Sequence, residues 1–430
     1  MLEADHKQIR KVFHNALHVN KSAEYVPYQE LENKQMLYDI MQEPDELMDH
    51  LRRYTSSLTT SIVYGYVHTY SKHIARCTDR HSFRWPSFSD ATMQALYHNL
   101  DNYVRLNLTG GAALADFYPI LRYIPSFLSA GKREAHQHHN HEVKLYMNLW
   151  LKAKSAILNK EKDRRVCVCD EIIKMQQKEN VSELYAAYTG AQLWEAGSDT
   201  TSTELYGFYQ ALLLYPEVQA KGQEELDRVI GNDRMPTLDD MDQLPYVRAC
   251  VKESLRWLPT AVLGAFPHAT TEEDTYEGYK IPKNASVVLN VWTIHRDPAR
   301  YYTPERFVPE RFFGDSKTSQ ESSASMDVSK RDHFGFGSGR RICPGMNVAE
   351  RSMLLGIART FWAFDVKPKL DATGQPKLPV QDDFLPGFVA IPRYFDVNIT
   401  PRSEQKAKIV RREWRNAQKE LGKDGQFLQK

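Results

Sequence analysis

The sequence predicts a mainly α-helical fold with a smaller β portion. In its first two thirds, apolar residues recur at three- and four-residue spacing with few helix breakers, which is typical of amphipathic helices. Short β-branched segments bounded by turn residues appear only after residue 259. The composition, with 42% hydrophobic and 26% charged residues, is that of a globular protein with a sizeable core.

The helical pattern is clearest in three long stretches, residues 44–66, 143–177 and 182–214. Pro216 then begins a further helix and Gly231 ends it, because proline suits a first helical turn and glycine suits a helix end. Another helix is predicted for residues 246–258. A last strong helix follows Gly345, with one apolar face formed by Leu354, Ile357, Ala358 and Phe361.

The non-helical part has three kinds of segment. Residues 275–279 and 285–291 are predicted strands. Residues 315–330 are serine-rich and nearly free of large apolar groups, which predicts a solvated loop. The charged segment after residue 403 is either an exposed helix or disordered, and no internal repeat is visible.

The bulk numbers exclude several classes of function. A formal net charge of +1 gives no reason to expect a nucleic-acid partner. Five cysteines in 430 residues argue against a disulfide framework and for a reducing compartment. No signal peptide is visible, and no apolar run approaches the roughly 18 residues of a spanning helix. Membrane contact is therefore at most peripheral. The apolar stretch 117–128 is either a bilayer contact or a buried loop.

The most informative segment is residues 334–345, FGFGSGRRICPG, directly before the last strong helix. Its glycines permit tight turns and a close approach of the backbone to a flat ligand. Cys343 lies at the helix N-terminus, where the positive dipole end stabilises a thiolate, and Arg340 and Arg341 add positive charge. From these residues alone, a buried structural cysteine beside a phosphate-type loop is the alternative.

Four motifs resemble the cytochrome P450 family of haem-thiolate monooxygenases, and three of them precede the cysteine segment in the expected order. The signature FxxGxRxCxG is matched by Phe336, Gly339, Arg341, Cys343 and Gly345. Residues 196–201, AGSDTT, resemble the oxygen-binding stretch of the central helix. Glu253 and Arg256 resemble the ExxR pair, and residues 307–312, FVPERF, resemble the arginine-bearing segment before the haem loop.

The resemblance runs from about residue 10 to residue 402. It is similar to the fungal microsomal branch that includes O-methylsterigmatocystin oxidoreductase, in segments such as YPEVQAKGQEELDRVIG and LPYVRACVKESLRW. It implies haem b as the cofactor and Cys343 as the axial ligand of its iron, where a thiolate favours O–O cleavage. Residues 1–402 are then one catalytic domain, and residues 403–430 are a charged tail.

The resemblance also implies roles in proton supply and in holding the core. Asp199 and Thr200 would relay protons, and Ala196 and Gly197 would leave room for dioxygen. Without the resemblance, the Asp-Thr-Thr run is a helix cap or an ordinary polar face. Glu253 and Arg256 share a helix face and would lock with an arginine of the later segment. Arg311 is the preferred partner, and Arg306 is the less favoured one.

Cofactor and substrate contacts follow from family position. Arg341, His268 and Arg10 would meet the haem propionates, although a surface arginine is the alternative for Arg10. Gly339 and Gly345 would let the backbone approach the haem. Residues 260–264 and 385–389 are largely apolar, which implies a lipophilic substrate.

The chain departs from the family pattern at its start. No anchor, proline-rich hinge or first β strands precede the helix of Arg10, and His6 stands where the family has tryptophan. We therefore expect an N-terminally truncated cytochrome P450 fold that lacks its anchor and first β strands. Residues 285–290 would then present an exposed, aggregation-prone strand edge.

The leading hypothesis is haem-dependent monooxygenation of a lipophilic metabolite in secondary metabolism. No GxGxxG motif lies in the chain, so electrons from NADPH would arrive through a separate reductase. A haem-thiolate isomerase that needs no external electrons and a truncated, inactive haem-binding fragment are the alternatives. The family implies the endoplasmic reticulum surface, whereas the lack of an anchor suggests the cytoplasm.

Two further patterns are set aside. The run HQHHNH at 136–141 places neighbouring histidines on different helix faces and is expected to be a solvated helix start. Cys167 and Cys169 lack the spacing and companions of a zinc site and are expected to serve packing.

Overall fold

The computed structural model describes residues 3–65, 84–108, 114–115, 118–159 and 166–421, and it confirms a mainly α-helical fold with a smaller β portion. The helices are α1 (Glu3–Leu17), α2 (Val19–Ala23), α3 (Val26–Gln42), α4 (Leu47–Tyr64), α5 (Ala91–Leu108), α6 (Ala130–Leu158), α7 (Val168–Glu179), α8 (Glu183–Leu214), α9 (Pro216–Val229), α10 (Pro245–Trp257), α11 (Val291–His295), α12 (Ser319–Ser323), α13 (Met346–Ala363) and α14 (Glu404–Gln418).

The strands are short and antiparallel, and each pairs with one other strand. They are β1 (His268–Ala269), β2 (Asp274–Tyr276), β3 (Tyr279–Ile281), β4 (Ser286–Val287), β5 (Phe364–Pro368), β6 (Phe384–Leu385), β7 (Ile391–Pro392) and β8 (Val397–Pro401). The pairs are β1–β4, β2–β3, β5–β8 and β6–β7. In the first pair, His268 lies opposite Val287, and in the third Phe364 lies opposite Pro401.

The chain divides into two compact units, residues 1–202 with 410–430 and residues 203–409. In the first unit, α3 packs on α4, α1 packs on α7, and α5 packs on α6. A buried ionic cluster joins α3 to α4, since Glu32 pairs with Arg53 at 2.6 Å and with Arg84 at 2.8 Å. All three side chains are at most 2% exposed, so removal of one partner would leave an uncompensated buried charge.

The second unit is built around α9, α10 and α13. Three of the four residues predicted to form one apolar face of α13, Ile357, Ala358 and Phe361, are fully buried, whereas Leu354 is half-buried. Gly222 on α9 allows this packing, because a Cβ there would lie 2.4 Å from the Phe361 ring. The predicted boundaries of α9 are also confirmed: Pro216 is its first residue, and Gly231 follows it with a left-handed φ of 72°.

One long helical prediction is wrong. Residues 143–177 do not form a continuous helix, because α6 ends at Leu158 and α7 begins at Val168. Asp170 in the first turn of α7 accepts a hydrogen bond from the Cys167 N–H at 2.8 Å, which favours a new helix start at this point.

Both strand predictions need correction. Residues 275–279 contain a turn between β2 and β3, where Glu277 and Gly278 have φ values of 48° and 83°. In 285–291 only Ser286 and Val287 form a strand, and β4 pairs with β1. Asn290 ends the extended stretch, because its side chain accepts the Thr293 N–H at 3.1 Å and caps α11.

The predicted solvated loop 315–330 is also wrong in part. It contains α12, and two of its serines, Ser319 and Ser322, are at most 2% exposed. Their hydroxyls donate to carboxylates, Ser319 to Glu350 at 3.0 Å and Ser322 to Asp332 at 2.5 Å. The serine content predicted solvation, but the hydroxyls of these two serines hydrogen-bond to carboxylates of the protein instead of water.

The segment after residue 403 forms the amphipathic helix α14. Its buried residues include Ala407, Ile409, Val410 and Trp414. Within the described residues, no helix is both long and apolar enough to cross a membrane.

Candidate active site

The glycine-rich segment 334–345, called the cysteine loop below, turns tightly just before α13. Gly337 and Gly339 have left-handed φ values of 78° and 68°, which favour glycine. The Cys343 N–H donates to the Phe336 carbonyl at 2.9 Å, and Gly345 caps α13. Cys343 is half-buried, whereas Cys167, Cys169 and Cys250 are buried. Among the described cysteines, this is the one whose thiol is positioned to meet a ligand.

These residues fit a haem. A partly exposed thiol on a glycine-rich loop lies just before the positive end of α13, where a thiolate is stabilised. Gly345 places no side chain beside the sulfur, since a Cβ there would be 3.9 Å from Sγ. Gly339 has open space where a Cβ would be, and Arg341 is exposed and available to an anionic group.

Glu253, Arg256 and Arg311 form one buried network. Arg256 binds Glu253 through two hydrogen bonds, both of 2.7 Å, and both side chains are fully buried. Arg311 Nε lies 3.1 Å from Glu253 Oε1, which also accepts the Val308 N–H at 2.7 Å. Arg306, the less favoured candidate, pairs through its guanidinium with Glu217 instead and gives only its carbonyl to Arg256.

His295 joins this network to the cysteine loop, and the sequence analysis missed it. Its Nδ1 lies 2.9 Å from the Arg256 carbonyl, and its Nε2 accepts the Phe334 N–H at 2.8 Å. Burial holds the pKa of His295 well below its ordinary value, so the ring is neutral with the proton on Nδ1. A lone histidine 39 residues from Phe334 carries no spacing signal that could have revealed this contact.

Lys252 forms a second link, between α10 and the segment that leads into the cysteine loop. Its ammonium, 3% exposed, lies 2.9 Å from Asp315 and 3.1 Å from Asp332. Burial alone would raise the pKa of Asp332, but His333, Ser322 and Lys252 together lower it. The backbone of the cysteine loop also packs closely on α10, since a Cβ at Gly335 would lie 3.1 Å from the Leu255 carbonyl oxygen.

Asp199 and Thr200 lie on α8 in the first unit. Arg52 of α4 donates through Nε to Asp199 at 3.2 Å, and its guanidinium lies 4.6 Å above the Tyr97 ring. Burial raises the pKa of Asp199, and Arg52 opposes that rise. The Thr200 hydroxyl donates to the Ala196 carbonyl at 2.8 Å. Sequence reasoning did not identify Arg52, which is 147 residues from Asp199.

Gly197 has a different local role from the expected one. A Cβ at Gly197 would lie 2.7 Å from Thr59 Oγ1, so this glycine lets α8 pack closely on α4. The next carbonyl, that of Ser198, accepts hydrogen bonds from Thr55 at 2.5 Å and from Tyr97 at 3.2 Å. The space expected for dioxygen at Ala196 and Gly197 stays a prediction beside this packing role.

The two segments expected to line a substrate pocket, 260–264 and 385–389, lie in the second unit, and each contacts a residue just beyond the other. The Ala390 N–H donates to the Thr260 carbonyl at 2.9 Å, and the Phe266 and Phe388 rings are 4.5 Å apart. Glu204, a buried residue absent from the sequence predictions, accepts the Thr260 N–H at 3.1 Å. Burial raises the pKa of Glu204 to about 8, so it is mostly protonated at neutral pH.

The remaining candidates are spread over both units. Arg10 is half-buried on α1 in the first unit, whereas His268 on β1 is exposed in the second. Residues 136–141 lie within α6, and the described chain contains no group of three or more His, Cys, Asp or Glu residues that could hold a metal ion. Cys167 and Cys169 are buried at the start of α7.

Comparison with known proteins gives a consistent result. The cytochrome P450 family profile matches residues 2–397. The cytochrome P450 monooxygenase virE of Hypocrea virens is 42% identical over 98% of this chain and 73% of its own length. The monooxygenases fsoB of Humicola fuscoatra and fogE of Aspergillus ruber are 41% and 40% identical, over 98% and 95% of this chain and 75% and 72% of their own lengths.

Solved structures show the same fold. A zebrafish cytochrome P450 with progesterone superposes with a TM-score of 0.70 at 23% identity, over 92% of this chain and 82% of that one. A second zebrafish cytochrome P450 structure, with abiraterone, gives a TM-score of 0.66 at 22% identity, over the same shares of both chains.

Proposed function

Since this chain belongs to the cytochrome P450 family and is a monooxygenase, we propose that it inserts one atom of dioxygen into a lipophilic small molecule of secondary metabolism. The observation that carries the proposal is Cys343, a half-buried thiol in a glycine-rich loop that buried hydrogen bonds fasten to α10. Haem b bound through that thiolate would supply the activation of dioxygen.

We propose that the chain holds the haem mainly through the cysteine loop. Cys343 would be the axial ligand, and Gly339 and Gly345 would let the backbone lie against the ring. Arg341, His268 and Arg10 would meet the propionates, which are anions that favour arginine. Glu253, Arg256 and Arg311 would act structurally, because their side chains contact one another and the 302–308 backbone.

Proton supply would fall to Asp199 and Thr200. Burial raises the pKa of the Asp199 carboxyl, which therefore takes up a proton more readily near neutral pH than an exposed aspartate. Arg52 would position it through the 3.2 Å contact between Nε and Oδ1. Thr200 offers a hydroxyl at the next position of α8, about 100° further around the helix axis, so a carboxyl and a hydroxyl are both available within one turn.

The substrate and electron donor are proposed from the family and from local polarity. Residues 260–264 and 385–389 are largely apolar, and contacts of Thr260 with Ala390 and of Phe388 with Phe266 bring their surroundings together, which supports a lipophilic substrate. We propose that electrons come from NADPH through a separate reductase at the endoplasmic reticulum surface. Exposed apolar residues on the turns 119–128 support peripheral contact with a membrane there.

The first experiment is the carbon-monoxide difference spectrum of the reduced, purified chain. We expect the long-wavelength Soret band of a thiolate-ligated haem, and Cys343→Ala should abolish it. Cys250→Ala is the matched control, because Cys250 is fully buried on α10. An unchanged band in Cys343→Ala would refute the ligand assignment. With the band present, NADPH consumption after addition of reductase distinguishes a monooxygenase from an isomerase.

A further inference from the structure

A continuous row of titratable side chains runs between α6 and α8. His139 Nδ1 lies 3.1 Å from the Tyr188 hydroxyl, which donates to Glu142 Oε2 at 3.4 Å. The Tyr146 hydroxyl lies 3.5 Å from Glu142 Oε1 and hydrogen-bonds Glu195 Oε1. The row thus crosses between the two helices three times, with His139, Glu142 and Tyr146 on α6 and Tyr188 and Glu195 on α8.

The two ends of this row lie in different environments. The His139 side chain is 55% exposed, and that of Glu142 is 16% exposed. Glu195, at the other end, is one helical turn before Asp199 on the same face of α8. Residues four apart on a helix are neighbours, with Cβ atoms about 5–6 Å apart. A water molecule between the two carboxyls would complete the last step to Asp199. The row therefore leads from solvent to the turn that carries Asp199.

We propose that this row delivers protons from solvent to Asp199 during the reaction. The inference rests on the proposed function, in which Asp199 takes part in proton supply. Nothing in the four family motifs includes these five residues. Every member of the row lies within α6 or α8, so the route would not depend on a mobile loop.

Each transfer along the row balances. Glu195 releases its carboxyl proton toward Asp199. A proton from solvent reaches Glu142 through the imidazole of His139 and the Tyr188 hydroxyl, and the Tyr146 hydroxyl then gives its own proton to Glu195 while it takes that proton from Glu142. Burial, together with Glu195, holds the pKa of Tyr146 far above its ordinary value, so a free phenolate does not form.

The surroundings of Glu195 support a proton-carrying role. The titratable groups that face it are Tyr64 on α4, Tyr103 on α5, Glu142 and Tyr146 on α6, and Tyr188 on α8. Burial raises the pKa of Glu195 to about 7, the Tyr146 hydrogen bond lowers it, and the charge of Glu142 raises it. A carboxyl with this pKa both binds and releases protons near neutrality.

A purely structural tie between the same helices offers a matched control. Glu183 of α8 accepts the Trp150 indole N–H at 2.6 Å and pairs with Lys154 of α6. The hydrogen bond from Lys154 is the main cause that lowers the pKa of Glu183, so this carboxyl stays ionised at neutral pH. Glu183→Gln therefore perturbs the α6–α8 contact without touching the row.

The first arm of the test is infrared titration of the purified chain, which needs no substrate. We expect the carbonyl band of a protonated carboxyl to disappear as pH rises through about 7. The component that titrates near 7 should be absent in Glu195→Gln and retained in Glu183→Gln, and the component of Glu204, whose pKa burial raises to about 8, should remain in both variants. A band that titrates unchanged in Glu195→Gln would overturn the proposal.

The second arm measures how NADPH electrons divide between hydrogen peroxide and water after reconstitution with reductase. In Glu195→Gln and Tyr146→Phe we expect a roughly tenfold larger peroxide share and loss of the inflection near pH 7. This effect is below the 10²–10⁴ of a direct general acid, because water partly replaces a distant relay. An unchanged peroxide share and pH profile would refute the relay. If the parent chain lacks the thiolate spectrum, the proposed function fails, and the infrared arm still decides whether Glu195 carries a proton.

Discussion

At the scale of single residues, His295 shows how a buried neutral imidazole can fasten a functional loop. Its ring contacts the Arg256 carbonyl and the Phe334 N–H and has no exposed surface. A neutral imidazole has one donor and one acceptor on opposite sides of its ring, so it can bind both groups at once. Aspartate and asparagine are shorter and have no such ring. The position therefore requires histidine in its neutral form.

We expect His295→Ala to lower the free energy of unfolding by roughly 2–4 kcal/mol, because it leaves a buried N–H and a buried carbonyl without partners. Urea unfolding followed by tryptophan fluorescence measures this change. His136→Ala, an exposed histidine on α6, is the control and should leave stability unchanged. Equal stability of both variants would contradict the role of His295.

The pH dependence of stability follows from the same residue. The pKa of His295 is lowered on folding, so above about 6.5 the ring is neutral in both states and adds no pH dependence. Below that pH the unfolded chain binds a proton that the folded chain excludes, and stability falls. His333, whose pKa burial also lowers, acts in the same direction. The acid loss should be shallower in His295→Ala.

Residue types and spacing revealed some site residues and not others. Cys343, Glu253 and Arg256 belong to local patterns, so a motif or a shared helix face identifies them. Arg52 and Glu204 act through contacts 147 and 56 residues away. No local pattern encodes such pairs, and only the folded structure shows them.

At the scale of elements, α10 organises the segment that leads into the cysteine loop. Lys252, Glu253 and Arg256 are all at most 3% exposed, and together they bind the backbone and side chains of residues 295–332. The carboxylate of Glu253 is surrounded by Arg256, Arg311 and the Val308 N–H. Removal of one arginine from the buried Glu253 carboxylate should therefore destabilise this segment and the cysteine loop that follows it.

We expect Arg311→Ala to destabilise the chain by roughly 3 kcal/mol and to lower its haem content. This is the low end for a broken buried ion pair, because Arg256 still contacts Glu253. Arg306→Ala is the control: its side chain is 59% exposed and pairs with Glu217 at the surface. Haem content per chain, measured after identical purification, should fall only in Arg311→Ala, and an equal fall in both would refute the assignment.

The contact between α4 and α8 depends on the missing side chain at Gly197. We expect Gly197→Ala to cost about 1–3 kcal/mol, because the added methyl would overlap Thr59. Thr59→Ala in the same chain should recover most of this loss. Gly131→Ala on α6 is the control, since nothing lies within 4 Å of its Cβ position. Thermal unfolding measures all four chains, and a Gly197→Ala variant as stable as the parent would contradict the contact.

Elements with strong local signals were predicted well, and those decided by single capping contacts were not. Pro216 and Gly231 bound α9 as expected. The break before α7 depends on the contact between Cys167 and Asp170, and the early end of β4 depends on Asn290 as a cap. Residues 159–165, NKEKDRR, contain no apolar residue, so the break between α6 and α7 had a sequence signal that the helical prediction did not use.

At the scale of the whole molecule, charge gives little help in finding a partner surface. The chain has 56 Lys and Arg residues against 55 Asp and Glu residues, so no net field would steer it toward an anionic membrane. Any membrane association should therefore depend on apolar side chains and change little with salt.

The 3₁₀ turns at Pro119–Tyr123 and Ser126–Leu128 present such side chains. Ile120, Tyr123 and Phe127 are 73–84% exposed. Cations in the first turn of α6 hold the backbone in this arrangement: Lys132 donates to the Arg122 and Ile124 carbonyls at 2.6 Å, and Arg133 donates to the Phe127 carbonyl at 2.7 Å. Because these carbonyls are satisfied from within, the apolar side chains can stay outward.

We expect the chain to co-float with neutral phosphatidylcholine vesicles, and Phe127→Ser to lower the partition coefficient by about tenfold. Burial of a large apolar side chain contributes about 1.5–3 kcal/mol, and 1.4 kcal/mol corresponds to a tenfold change. Met326→Ser is the control, because Met326 is 94% exposed but lies in the serine-rich segment between α12 and α13. Added salt should leave flotation unchanged. Equal losses in both variants, or flotation that requires anionic lipid, would show that the turns 119–128 are not the contact surface.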